Sequence, residues 1–88
     1  MAQISRQKIE EDVNSIIADK MGVDVSQVNS ESNLEEDFGA DSLDTIELIM
    51  EFERKFQISI PDEKVDAIKG GQVGDIYTLI EFATNNKY

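Results

Sequence analysis

The stretch 42–56 reads SLDTIELIMEFERKF, without glycine or proline, and its apolar residues recur every three or four positions. That spacing specifies an amphipathic helix. On a wheel advancing about 100° per residue, Thr45, Leu48, Ile49, Phe52 and Phe56 gather on one side. Leu43, Ile46 and Met50 gather on a second side, close to Ser42 and bordered by Glu47 and Glu53. A helix in a small bundle needs one apolar stripe to join the core. The second stripe is surplus, and two readings of it stay open. Either the helix is buried on both sides, or the second stripe is an exposed apolar patch rimmed by charge, as binding sites often are. Met50 suits such a patch, because methionine adapts to different surfaces.

The rest of the chain supports an all-α reading. Residues 4–20 carry Ile9, Val13, Ile16 and Ile17 at helical spacing, and Gly22 follows as a stop. Residues 58–69 begin extended, because the residue before Pro61 avoids the helical region. Pro61 then suits the start of a short helix, with Asp62 and Glu63 favourable in its first turn. Gly70 and Gly71 break it. Residues 73–84 give a last helix, with Val73, Ile76, Ile80 and Ala83 near one face, and the terminal NNKY is expected to fray. Residues 22–41 show no long period and read as a long loop pinned by Val28, Leu34 and Phe38. The expected fold is a small four-helix bundle of three longer helices and one short one, a single domain over residues 1–88, with the long loop between the first two helices. No repeat or low-complexity segment interrupts it.

A chain of 88 residues without cysteine or histidine has neither disulfides nor a standard zinc site to stabilise it. Nineteen acidic residues against 8 basic give a formal charge of −11. Such a surface repels nucleic acid and anionic membranes. It suits basic protein partners, and it also suits plain solubility. The distribution is more informative: between residues 21 and 53 there are ten acids and no lysine or arginine. A field of one sign is destabilising by self-repulsion, and steering of a positive partner is a plausible compensation. No stretch reaches membrane-spanning length, and MAQISRQKIEEDV holds no long apolar run of the secretory kind.

Ser42 stands in GADSLDT, at the start of the central helix. A hydrolase nucleophile needs a base and an orienting group, but there is no histidine and no G-x-S-x-G. An EF-hand reading started at Asp37 puts Gly39, Ser42 and Leu48 at positions 3, 6 and 12, where an oxygen ligand, glycine and glutamate are required. No catalytic residue and no metal site are therefore expected. Asp41 reads as the N-cap, with Asp44 three residues on in a near capping-box position. Ser42 then lies in the first turn with its hydroxyl free. A phosphoryl group there would meet free amides and the positive helix end, against repulsion from the neighbouring acids. The residues alone also allow Ser42 to be merely the N-cap.

The run DFGADSLDTIELIMEFERKF closely resembles the centre of acyl carrier proteins of fatty acid synthesis. The resemblance extends to the first helix, the loop ending in residues 34–39, the FQISIPDE turn and the last helix from Val73-Gly74-Asp75. It implies that Ser42 receives a 4'-phosphopantetheine arm from coenzyme A, attached by a separate holo-carrier-protein synthase that uses magnesium. The arm ends in a thiol, which holds growing acyl chains as thioesters. Asp41 matches the aspartate recognised by that transferase. Leu43, Ile46 and Met50 match apolar partner contacts, and Asp44, Glu47 and Glu53 match acidic ones. Ile49, Phe52, Ile68 and Ile76 are the candidates to line a space for the acyl chain. The implied protein is a carrier and not an enzyme, monomeric, serving a dissociated fatty acid synthase. Its implied partners are the phosphopantetheinyl transferase, malonyl transferase, ketosynthases, reductases, dehydratases and acyltransferases, all through basic patches.

Two features depart from the common pattern. Arg54 falls on the patch side where many members keep an acid, and the Gly70-Gly71-Gln72 linker looks slightly long. They leave room for a polyketide, peptide or envelope-lipid pathway. An acidic interaction module that is never modified is the alternative of another class. The expected location is a bacterial cytoplasm, with the plastid stroma as the alternative.

Overall fold

Helix α1, Arg6–Met21, begins where the Ser5 hydroxyl accepts the Lys8 amide at 3.1 Å, two residues later than its periodicity predicts. It ends where Gly22 takes the left-handed conformation, φ 71°. In this computed structural model, which describes residues 4–86, Ile9, Val13 and Ile17 of α1 are fully buried and Ile16 is half-buried.

The long segment 22–41 is better ordered than its sequence suggests. It holds a three-residue 3-10 turn, Val25–Gln27, closed by a reciprocal cap between Asp24 and Gln27. It also holds a short helix, α2, Leu34–Phe38, whose Asn33 cap accepts the amides of Glu35 and Glu36 at 2.9 Å each. The expectation of a plain loop is corrected to that extent. Its three anchors behave as expected: Val28 and Leu34 are buried, and Phe38 packs partly buried against the core. The segment is tied to the start of the last helix. The amides of Val73 and Gly74 donate to the carbonyls of Ser32 and Ser30, each at 2.8 Å. These bonds satisfy two of the orphan donors that every helix start carries. Gly74 permits the approach, because a Cβ there would stand 3.1 Å from the Ser30 carbonyl oxygen.

Helix α3, Ser42–Phe56, has the predicted limits. Thr45, Leu48, Ile49, Phe52 and Phe56 are its buried residues, the stripe assigned to the core. Thr45 is fully buried without penalty, since its hydroxyl donates to the Asp41 carbonyl at 3.0 Å. The helix stops at Gln57, which adopts the left-handed conformation at φ 56°. Helix α4, Asp62–Gly70, follows Pro61, and α5, Val73–Asn86, completes the bundle. Gly70 is the last residue of α4 rather than part of a long linker, so only Gly71 and Gln72 separate α4 from α5. Asn85 and Asn86 remain helical where fraying was expected, and Lys87 and Tyr88 lie outside the described residues.

Helix α1 packs against α3 and α5, and α4 bridges α3 and α5. Tyr77 of α5 anchors the α1–α5 seam. Its hydroxyl donates to Asn14, and the Arg6 guanidinium lies 5.6 Å from its ring centroid while pairing with Glu10 at 3.1 Å and Glu81 at 2.9 Å. Among the described residues there is no strand, only an isolated bridge between Asn33 and Gln72.

Candidate functional site

The N-terminus of α3 is built by a reciprocal cap. Asp41 Oδ1 accepts the Asp44 amide at 2.8 Å, and Asp44 Oδ2 accepts the Asp41 amide at 3.2 Å. The longer return bond fits the shorter reach of aspartate where a capping box normally has glutamate. Gly39, left-handed at φ 70°, ends α2, and buried Ala40 then donates to the Leu34 carbonyl at 2.9 Å. The chain is thus held on both sides of a short corner, and Ser42 emerges from it as the first residue of α3, exposed. None of the cap bonds uses its hydroxyl. The helix geometry leaves the first amides, those of Ser42 and Leu43, without an intrahelical partner. An exposed hydroxyl, two free amides and the positive end of a helix fit a phosphodiester at Ser42.

The outward stripe of α3 is exposed. Leu43, Ile46 and Met50 show 62, 48 and 51% of their surface, so the reading that buries the helix on both sides falls. The acids around this patch are partly committed within the molecule. Glu47 accepts a hydrogen bond from Lys20 of α1, and Glu53 Oε2 accepts the Ile60 amide at 2.8 Å, bracing the turn after α3. Asp44 serves the cap. Glu53 is therefore first a brace, with one oxygen engaged. Arg54 is exposed. Sequence reasoning passed over Lys20. Its place in the last turn of α1 was legible, but its reach to α3 is a tertiary fact. The hydrogen bond that Lys20 donates to Glu47 raises the Lys20 pKa above its usual 10.5, partial desolvation opposes the rise, and the charges of Glu47, Asp44 and Glu51 add to it.

Ile49, Phe52, Ile68 and Ile76 are all buried and belong to one continuous core cluster shared by α3, α4 and α5. Among the described residues, no three acidic, histidine or cysteine side chains are grouped to hold a metal ion, and no helix is long and apolar enough to cross a membrane.

These features define a class: a small helical bundle that offers an unencumbered serine at a helix N-terminus and, beside it, an apolar face set in acid. The comparisons make the class specific. Residues 11–80 match the family described as a phosphopantetheine attachment site. The acyl carrier protein of Akkermansia muciniphila is 45% identical over 78 residues, covering 89% of this chain and 95% of that relative. The chain belongs to the phosphopantetheine-binding family of acyl carrier proteins. Members of this family are carriers rather than enzymes, and 4'-phosphopantetheine is the group they bear.

Proposed function

We propose that Ser42 bears the 4'-phosphopantetheine. On this reading the chain works as one acyl-carrier domain over residues 1–88, delivering growing fatty acyl chains to a dissociated fatty acid synthase in a bacterial cytoplasm. The observation that carries this reading is the exposed Ser42 in the first turn of α3, its hydroxyl unused by the cap, directly beside Leu43. Transfer from coenzyme A makes a phosphodiester at Ser42 Oγ, breaks the pyrophosphate link of the donor and releases adenosine 3',5'-bisphosphate. The hydroxyl proton goes to a base on the transferase. When bound, the arm supplies the thiol that holds the acyl group.

The chain's own residues do the rest. Asp41 fixes the first turn and presents a carboxylate next to the serine. Leu43, Ile46 and Met50 offer apolar contact, and Asp44, Glu47 and Glu53 supply negative charge for partners with basic patches. Those partners are the transferase and then the malonyl transferase, ketosynthases, reductases, dehydratases and acyltransferases of the pathway. Ile49, Phe52, Ile68 and Ile76 are the core side chains that would move apart to admit an acyl chain between α3, α4 and α5.

Reconstitution tests the pathway. The chain, loaded by a phosphopantetheinyl transferase and supplied with malonyl groups and purified fatty acid synthase enzymes, is expected to return progressively longer saturated acyl groups bound to itself. Loading without elongation would overturn the fatty acid reading and leave a carrier of another pathway.

A further inference from the structure

Among the described residues, the ion pairs lie within α1, between α1 and α5, or between Lys20 and Glu47. Lys20 is thus, among the described residues, the one cation that forms an ion pair with the ten-acid segment 21–53. The two side chains keep 25 and 42% of their surface, so the pair is held yet within reach of a docking protein. Glu47 borders the exposed patch of Ile46 and Met50. Asp44 and Glu51 also act on Lys20, which places its ammonium in the field of three acids of α3.

We propose that Lys20 is a specificity-determining residue of the docking face, an internal cation that competes with a partner's lysine or arginine for Glu47. This rests on the carrier reading above. A partner must displace Lys20 from Glu47 or dock against a half-neutralised acid. A partner with a single cation at that point is penalised, and one with a dense basic patch, which can bind Glu47 and its neighbours together, is favoured. The pair also joins α1 to α3, so a purely structural role is the alternative.

The probe is a phosphopantetheinyl transferase with coenzyme A, and the readout is its KM for the full carrier chain at low and at physiological salt. Lys20→Gln is expected to lower KM by about two- to fivefold at low salt, the range of a single exposed ion pair, and to steepen the salt dependence. Lys8→Gln makes the same charge change on α1 and removes the Lys8–Asp12 pair, 3.2 Å, and is expected to leave KM within about 1.5-fold, the distant surface charge being screened. Glu47→Gln is expected to raise KM more in the Lys20→Gln background than in the wild type, a coupling that a merely structural pair would not produce. An unchanged or raised KM for Lys20→Gln, or an equal fall for Lys8→Gln, would overturn the proposal. If the wild type takes up no arm, the carrier reading falls with it; normal loading with unchanged KM overturns the role of Lys20 alone.

Discussion

Asp41 holds two roles that a pair of substitutions separates. Its side chain makes one hydrogen bond in the cap, Oδ1 to the Asp44 amide at 2.8 Å. The bonds from the Thr45 amide and hydroxyl reach its carbonyl, and the Asp44 carboxylate reaches its amide, so all three survive truncation of the side chain. Asp41→Ala therefore removes one cap bond, worth about 1 kcal/mol at a helix N-terminus. In a domain of this size that lowers Tm by about 4–8 °C. Asp41→Asn keeps an acceptor of the same reach and loses only the charge. The lost interaction with the helix dipole, about 0.3–1 kcal/mol, is offset in part by relief of repulsion with Asp44. Its Tm is expected to stay within about 3 °C of the wild type. Thermal unfolding followed by far-ultraviolet circular dichroism measures both. Transferase kinetics on the same proteins should show both variants impaired, because each lacks the carboxylate beside Ser42. An Asn variant that melts as low as the Ala variant would refute the cap argument. An Asn variant loaded at the wild-type rate would refute the recognition role.

Three further outcomes follow from the same geometry. Phe52 is fully buried, so Phe52→Ala is expected to cost about 3–5 kcal/mol, a large share of the stability of a small domain, as read by urea unfolding. Gln57 is left-handed at φ 56°, where a side chain is strained, and Gln57→Gly is expected to raise stability by about 0.5–1 kcal/mol; a loss in urea titration would contradict this. Lys20 has its pKa raised in the folded chain by the Glu47 hydrogen bond, so its contribution is complete below the unfolded value, 10.5, and is lost as pH rises through the folded one. The stability gap between wild type and Lys20→Gln should therefore hold through neutral pH and close only in strong alkali, and a gap that ignores pH would contradict the pair.

What the sequence made legible were features with a local cause. Helix α3 was bounded correctly because its cap, period and length are all written within 41–56. The stops at Gly22 and the start after Pro61 follow from backbone preference at single residues. Helix α2 and the 3-10 turn escaped because neither is long enough to show a period. Their caps, Asn33 over Glu36 and Asp24 with Gln27, were readable in hindsight, but the bonds that fix the segment come from Val73 and Gly74, some forty residues away. The wheel of α3 showed two apolar stripes and could not say which of them a neighbour would cover. For the same reason Lys20 on Glu47, 27 residues apart, and Glu53 on the Ile60 amide were invisible: both are contacts between elements, decided by packing.

The central claim, that Ser42 carries the arm, is tested most directly by the intact mass of the chain after incubation with coenzyme A and an active phosphopantetheinyl transferase, with fragmentation to place any addition. The account predicts a single added phosphopantetheine on Ser42, and none on a folded Ser42→Ala variant. A folded wild-type chain that stays unmodified, or an addition placed on any other residue, would contradict it.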